Sequence, residues 1–301
     1  MKNILLSLCI FATCTITNIF AEEQTKQPEN LPNRVVCVTI PKSGTHLLLK
    51  CITLLDVEGI AYKYWKKPRG FHLHDLNERV PRPLKHAFSK DNRAITKHLV
   101  YTPEAEAFIK DKTLANFFMV RDPRAQLVSQ ARTFQEHRID GNKRSLEDLM
   151  LDIILARKEN FMLSRRHLDN PDLPGNIIVA IADLFWLEGL HGFYSRFLPW
   201  MKAEKFHTVR FEDLIGENGG GSKEKQTQEI RNIAQHLGVQ LTEEKLAYVV
   251  ENLFGGTGTF REGQSASWKQ HFTPNVTAAF KADQRLMQLL IDLGYEKDAN
   301  W

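Results

Sequence analysis

The chain has 301 residues, of which 43% are hydrophobic and 25% charged, and its net charge is +4 at pH 7. This ordinary globular composition excludes disordered, collagen-like and disulfide-scaffold proteins, and the charge is too small for a protein that coats nucleic acid. A local anion site remains compatible with it. The length suits one large domain or two small ones, and no feature of the body marks a domain boundary.

The first segment of the chain has the pattern of an export signal. Residues 1–21 carry one charge, Lys2, then an apolar centre, and end at Ala21 before two glutamates. We expect a signal peptide that is removed and a protein that is secreted, periplasmic or lumenal. The alternative is an uncleaved membrane anchor, which needs about 20 apolar residues. Residues 22–33 are polar and predict a flexible leader, so 34–301 form the single domain.

The remainder alternates short β-branched runs with stretches of helical periodicity. Strands are predicted at Arg34–Ile40, Arg93–Leu99, Leu114–Val120 and Lys205–Phe211. Helices are predicted at Thr45–Asp56, Pro103–Lys110, from Asp122-Pro123 onward, Leu146–Asn160, Ile177–Leu198, Gln228–Leu237, Glu243–Leu253 and Thr277–Leu293. This order predicts an α/β fold with a central, mostly parallel sheet flanked by helices on both faces. The patch Gly219–Ser222 predicts a loop tip.

Two cysteines, Cys37 and Cys51, belong to the predicted domain. Two are too few for a disulfide framework, so the hydrophobic core must supply the stability. Either a single bridge joins them in an oxidising compartment, or both are small buried hydrophobes.

The loop at 41–46 follows the first strand and opens its helix. A helix start presents unpaired N–H groups to an anion, and Gly44 lets the backbone approach one closely. Lys42 adds a cation, and Ser43 and Thr45 add hydroxyls. The alternative is a capped helix with a surface lysine. No glycine stands five residues before Lys42, so the triphosphate-binding pattern is not matched and a single phosphate is favoured.

A second anion site is predicted where the third strand ends. Arg121 lies at the carboxyl edge where open α/β sheets bind ligands, and its planar fork suits phosphate. Ser129 follows two helical turns later. The alternative is an ion pair of Arg121 with Asp122 or with another carboxylate.

A third candidate is the late, glycine-rich and basic segment Thr259–Gly263, which is followed by Trp268–Thr273. Its composition favours a loop that folds over a ligand. The alternative is a surface loop anchored by Phe260 and Trp268.

Four motifs together carry a family resemblance. They are PKSGTHLL at 41–48, VRDP with Ser129 eight residues after Arg121, RFED at 210–213, and FREG followed by WKQHFT at 260–273. In this order the chain resembles the nucleotide-dependent sulfotransferases, which transfer a sulfuryl group from 3′-phosphoadenylyl sulfate (PAPS) to a hydroxyl or amine. The resemblance implies a P-loop-like phosphosulfate-binding loop, PAPS as co-substrate and no metal. It also implies a small-molecule, carbohydrate or peptide acceptor and no nucleic-acid partner, and it leaves the oligomeric state open.

The resemblance assigns the nucleotide-binding residues. The 5′-phosphosulfate end falls to Lys42, Ser43, Gly44, Thr45, His46 and Leu47. The 3′-phosphate falls to Arg121, Ser129, Arg261, Glu262 and Gly263, and Phe211 stands where the family often has a tyrosine that contacts adenine. Leu47 replaces a common tryptophan and Glu262 a common lysine, so the adenine contact and the 3′-phosphate clamp depart from the family pattern.

The resemblance also assigns two catalytic residues. His98, after the second strand, takes the acceptor proton, and an imidazole pKa near 6.5 suits that task at neutral pH. Lys42 neutralises the charge that develops on the leaving phosphate oxygen. Lys97 adjoins His98, but alternation along the strand points neighbouring side chains to opposite faces.

Other interpretations stay open at this point. A nucleotide or small-molecule kinase would require ATP and magnesium, and a non-catalytic protein would bind a bisphosphate nucleotide or a glycan without turnover. A metal site at His72, His74 and Asp75 is incomplete, and these residues fit the acceptor pocket better. The basic cluster Lys63–Arg69 is a solvated edge or recruits an acidic acceptor. Asn275 begins a glycosylation sequon.

Overall fold

Four parallel strands form the centre of the protein in a computed structural model that describes residues 34–56, 85, 94–136, 144–157, 189–257 and 260–301. The strands are β1 (Val35–Thr39), β2 (Ala94–Lys97), β3 (Ala115–Val120) and β4 (Phe206–Arg210). They lie in the order β2-β1-β3-β4. Every residue of β1 and β3 is buried, which explains why both read as unbroken apolar runs. The predicted α/β fold with a parallel sheet is confirmed.

Helices cover both faces of this sheet. Within the described ranges they include α1 (Thr45–Leu54), α2 (Pro103–Lys110), α3 (Pro123–Glu136), α4 (Leu146–Leu155), α5 (Phe211–Leu214), α6 (Lys223–Leu237), α7 (Glu243–Leu253), α8 (Pro274–Ala282) and α9 (Gln284–Asp292). Residues 189–195 are also helical. Three short 3-10 helices lie at Leu198–Lys202, Glu217–Gly219 and Ser267–Gln270.

Three predicted boundaries were wrong for local reasons. The last predicted helix is two helices, because the carboxylate of Asp283 accepts the N–H of Arg285 and starts α9 anew. Helix α6 begins at Lys223, five residues before the predicted start at Gln228, because the side chain of Ser222 caps it. Phe211 opens α5 instead of ending β4.

Strand alternation divides the core into two clusters, one on each face of the sheet. Val36 and Val38 belong to the first, and Val35 and Cys37 to the second, which also contains Cys51. Both thiols are free and buried, and burial raises the pKa of Cys37 to about 12. The two cysteines therefore act as small hydrophobes, and the bridge interpretation does not hold in this structure.

The strand order creates a switch point at the carboxyl edge of the sheet. β1 pairs with β2 on one side and with β3 on the other. The chain segments that leave β1 and β3 therefore diverge, and such a crevice is where open parallel sheets bind ligands. The loops that begin at Ile40 and at Arg121 flank this point.

The residues from Asn33 to Trp301 form one compact unit. The predicted signal peptide (1–21) and leader (22–33) lie outside the described residues. Within the described ranges, none of the helices combines the length and the apolar character needed to cross a membrane.

Candidate active site

The loop between β1 and α1 is fixed by its own serine. The Ser43 hydroxyl lies 2.6 Å from the carbonyl oxygen of Ile40 and 3.0 Å from that of Met119, and its N–H donates to Ile40 at 3.1 Å. A hydroxyl has one proton to donate, and here a main-chain carbonyl receives it. Ser43 therefore ties the loop to the ends of β1 and β3.

Gly44 is required by conformation and by space. Its φ is +106°, and a Cβ atom would lie 2.6 Å from Cδ2 of Phe211 and 2.8 Å from Cε of Met119. No side chain caps α1 at this position, so the helix start can approach an anion. Lys42 also has a positive φ of 68°, which is uncommon for a residue with a side chain and recurs at functional sites.

Arg121 joins three parts of the predicted site. Its guanidinium donates to the carbonyl oxygen of Lys42 at 3.4 Å and to that of Gln264 at 3.2 Å. The same group lies 4.1 Å from the ring centre of Phe211. One side chain thus contacts the early loop, the start of α5 and Gln264, which directly follows the predicted late segment.

The cations near this loop are close enough to act on one another. The pKa of Lys42 is lowered from 10.5 to about 8, chiefly by burial and also by the charges of Arg261 and Arg121, whereas the carboxylate of Glu136 raises it. Burial also lowers the pKa of Arg121, against the charge of Glu212, but a guanidinium stays protonated in proteins. The arrangement is a cluster of positive charges that a bound anion would stabilise.

The alternative partner of Arg121 is engaged elsewhere. The carboxylate of Asp122 accepts the backbone N–H of Arg124 at 2.8 Å and its terminal guanidinium nitrogen, also at 2.8 Å. Arg124 lies between the rings of Trp268 and Trp301, at 4.0 and 4.5 Å, and also pairs with Glu296. Asp122 therefore does not form the predicted alternative ion pair with Arg121.

His98 follows β2 and is held by the end of β1. Its Nδ1 atom lies 2.8 Å from the carbonyl oxygen of Thr39 and 3.0 Å from Oγ1 of Thr39. A carbonyl only accepts, so Nδ1 carries the proton and Nε2 bears the basic lone pair of the neutral ring. Oγ1 of Thr39 also lies 2.7 Å from Oγ1 of Thr45, which links His98 to the start of α1. The side chain of Lys97 lies outside the described residues.

The late segment lies against α3 through charged side chains. Arg261 pairs with Glu136, and Glu262 pairs with Arg132 at 2.6 Å. Gly263 has a φ of +62°. Ser129 is half-buried on α3, one turn before Arg132. Glu262, which replaces a family lysine, thus lies beside a cation on the facing helix.

Comparison with known proteins identifies the family. The model of the sulfotransferase domain family matches residues 32–256. The chain belongs to the sulfotransferase family. No curated protein sequence matches the chain significantly.

Solved structures share the fold of this sulfotransferase at low identity. The mouse sulfotransferase SULT7A1 complexed with PAP matches with a TM-score of 0.55 and 15% identity, over 87% of this chain and 86% of that one. Retinol dehydratase in complex with androsterone and inactive cofactor PAP matches with a TM-score of 0.52 and 17% identity, over 87% and 82%. Retinol dehydratase in a complex with retinol and PAP matches with a TM-score of 0.52 and 16% identity, over 87% of this chain and 82% of that one.

The glycine-rich patch of the sulfotransferase packs against the residues that follow Gly263, a contact that was not predicted from the sequence. Gln264 donates its side-chain amide to the carbonyl of Asn218 at 2.8 Å, and the N–H of Ser265 donates to Gly219 at 2.9 Å. A Cβ atom on Gly219 would lie 2.6 Å from the carbonyl oxygen of Gly263. The run of three glycines was the available signal, because two backbones approach closely there.

Glu212 of the RFED motif is a second missed residue. It accepts the N–H of Asp122 at 3.0 Å and the hydroxyl of Tyr295 at 2.9 Å. Burial raises its pKa. Glu212 therefore holds the backbone that follows Arg121. Its carboxylate also raises the pKa of Arg121, against the effect of burial.

The two residues assigned to the adenine by resemblance are part of the core cluster that contains Cys37. Leu47 and Phe211 are both buried in it. Burial lowers the pKa of His46, and the charge of Lys42 adds to the effect, so His46 is held neutral beside the loop.

Several predicted features are not placed by the structure. Thr259, the metal candidates His72, His74 and Asp75, and the basic cluster 63–69 lie outside the described residues. Within the described ranges no group of His, Cys, Asp or Glu could hold a metal ion. Asn275 is exposed at the start of α8, where its amide donates to Glu147 at 2.9 Å.

Proposed function

We propose that this sulfotransferase moves the sulfuryl group of PAPS to an acceptor hydroxyl, with His98 as general base and Lys42 as the cation at the leaving oxygen. One observation carries the proposal: the Arg121 guanidinium bridges the Lys42 loop, the ring of Phe211 and the late segment. The early loop, Phe211 and the residue that follows Gly263 therefore meet at Arg121, which supports a shared nucleotide site. That PAP is present in solved relatives supports the same donor.

Cations from three parts of the chain, Lys42, Arg121 and Arg261, suit a nucleotide with more than one phosphate group. The start of α1 and Lys42 would hold the 5′-phosphosulfate, because the helix dipole and the ammonium both favour negative charge there. Arg121, Ser129, Arg261 and Gly263 would hold the 3′-phosphate. The Phe211 ring would lie against the adenine while its other contacts keep Arg121 in place.

The reaction is an in-line displacement at sulfur. Nε2 of His98 accepts the proton of the acceptor hydroxyl as its oxygen forms the new bond to sulfur. The bond between sulfur and the 5′-phosphate oxygen breaks, and that oxygen keeps the electron pair. Lys42 neutralises the charge growing on the leaving oxygen, which stabilises the transition state more than the bound substrate.

The acceptor is proposed only by its chemistry. Androsterone and retinol are bound in solved retinol dehydratase structures, and each has a hydroxyl group. A small-molecule alcohol or phenol is therefore the first acceptor class to test, ahead of carbohydrates and peptide tyrosines.

Transfer of labelled sulfur tests the proposal. The purified protein is incubated with sulfur-labelled PAPS and a panel of alcohols, phenols, sugars and tyrosine peptides, with a chelator present throughout. We expect transfer to at least one hydroxyl acceptor and no ATP hydrolysis. ATP-dependent phosphorylation would favour the kinase, and PAP binding without transfer to any acceptor class would favour the non-catalytic interpretation.

PAP binding should weaken above pH 8. The Lys42 pKa is lowered to about 8, so its ammonium is present below that pH and is lost above it. We expect the dissociation constant for PAP, measured by calorimetry, to rise from pH 8 to pH 9.5 in the wild type. Lys42→Arg should abolish most of that rise, because a guanidinium stays charged across the range. The same rise in both proteins would assign the titration to another group.

Removing the Thr39 hydroxyl should slow transfer modestly. Thr39→Val deletes the side-chain contact to His98 and Thr45 but keeps the carbonyl that orients Nδ1. We expect kcat to fall by about threefold to tenfold with an unchanged KM for PAPS, because the Thr39 hydroxyl orients the His98 ring and does not itself react. Thr39→Ser should restore the rate, and a loss of PAP binding in Thr39→Val would point to a collapsed loop instead.

We also propose that residues 1–21 direct export and are then removed. The basic start, apolar centre and small residue at position 21 support this. Amino-terminal sequencing of the protein from its native host should begin at Glu22. Recovery of the intact N-terminus in the membrane fraction would support the anchor.

A further inference from the structure

The late segment and α3 meet through two crossed ion pairs. Arg132 and Glu136 are one turn apart on α3, and Arg261 and Glu262 are adjacent on the segment. Arg132 pairs with Glu262, and Arg261 pairs with Glu136. Each charge on the helix therefore meets the opposite charge on the segment. We call these four residues the charge ladder.

The two pairs of the charge ladder differ in how firmly they are held. Arg132 also contacts Nε2 of His271 at 2.6 Å, and the side chains of Arg132 and Glu262 are 22% and 42% exposed. The side chains of Arg261 and Glu136 are 32% and 52% exposed. The Arg132 pair therefore anchors the segment, whereas the Arg261 pair is open to solvent and can exchange partners at low cost.

The exchangeable pair lies at the nucleotide site. Arg261 pairs with Glu136 and stands three residues before Gln264. The charges of Arg261 and Glu136 act on the pKa of Lys42 in opposite directions. The Arg121 guanidinium reaches the same segment at Gln264. Glu136 is thus an acidic side chain that pairs with one of the cations, Arg261, proposed to hold phosphate.

We infer that Glu136 is a resident counter-ion of the nucleotide clamp. It pairs with Arg261 when the site is empty, and the 3′-phosphate takes its place when the nucleotide binds. The inference rests on the proposed function, which assigns the 3′-phosphate to Arg261. Because Glu136 competes with the phosphate, it lowers nucleotide affinity and speeds the departure of PAP after transfer.

The test compares Glu136→Gln with wild type in calorimetric titrations of PAP and of adenosine 5′-phosphate. The amide keeps the size of the side chain and removes its charge. We expect the dissociation constant for PAP to fall about two- to fivefold, the range of an exposed ion pair. Binding of adenosine 5′-phosphate, which lacks the 3′-phosphate, should not change. Stopped-flow release of PAP should slow by the same factor, and the difference should shrink in high salt.

Glu243→Gln is the matched control. Glu243 forms another exposed ion pair, with Arg231 at 2.7 Å, and its change alters the net charge of the protein by the same amount. It begins α7, whose Lys245 pairs with Asp56 just beyond the far end of α1. PAP affinity should be unchanged in this variant.

Three results would overturn the inference. An unchanged or weaker affinity of Glu136→Gln for PAP, with wild-type binding intact, would show that Glu136 does not compete. Equal tightening for both nucleotides would remove the link to the 3′-phosphate. Failure of the wild type to bind PAP would overturn the proposed function itself, and the inference with it.

Discussion

Replacing His98 with glutamine should lower the single-turnover rate of sulfuryl transfer by about 10²–10⁴-fold, the usual contribution of a general base. The amide can still donate to the carbonyl of Thr39, so the end of β1 stays in place. It cannot accept the acceptor proton at neutral pH. Because the nucleotide contacts lie on other residues, the dissociation constant for PAP should stay within about twofold of wild type.

His207→Gln is the control for this experiment. His207 lies near the start of β4, at the amino end of the sheet, and its Nε2 is 2.8 Å from a carboxylate oxygen of Glu229. We expect near wild-type transfer from that variant. If His98→Gln retained the wild-type rate with PAP bound normally, another group would have to accept the proton.

Replacing Lys42 with methionine should separate activity from stability. We expect the single-turnover rate to fall by about 10²–10³-fold, as when one preorganised charge stabiliser is removed. The folded protein should become more stable at pH 7 by about 1–2 kcal/mol, because burial beside two arginines penalises the ammonium. Thermal unfolding and rapid-quench transfer with PAPS measure the two effects on the same protein preparation.

The stability gain of Lys42→Met should depend on pH. The pKa of Lys42 is lowered in the folded state from 10.5 to about 8, so the cost of its charge is present below pH 8. The cost disappears as the pH rises above that value and the ammonium loses its proton. The gain of Lys42→Met in melting temperature should therefore shrink between pH 8 and pH 10. A rate that does not change would contradict the role at the leaving oxygen, whatever the stability.

The sequence predicted the parts of the fold that local patterns determine. β1 and β3 are buried on both faces, so their unbroken apolar runs predicted them correctly. Helix α7 begins at Glu243 and ends at Leu253, as its apolar periodicity predicted. Asp283 was harder, because a helical stripe continues across it and only its capping contact reveals the break. The convergence of the loops at one edge followed from the parallel order of the strands.

The rest of the site depended on contacts between distant segments. Asp122 forms its ion pair with Arg124 and not with Arg121. The Arg124 guanidinium packs against the rings of Trp268 and Trp301, which come from the end of the chain. The pairing of Glu262 with Arg132 likewise joins residues far apart in sequence. A single sequence shows each charge but not its partner. It therefore showed that a glutamate replaces the common lysine at position 262, but not that this glutamate pairs with Arg132.

The central claim is that the Lys42 loop and Arg121 hold one nucleotide by its two phosphates. Calorimetric titration of Arg121→Gln and wild type, each with PAP and with adenosine 5′-phosphate, tests it most directly. We predict that the wild type binds PAP at least tenfold more tightly than adenosine 5′-phosphate, and that Arg121→Gln removes most of this preference. Equal affinity of the wild type for the two nucleotides would contradict the claim.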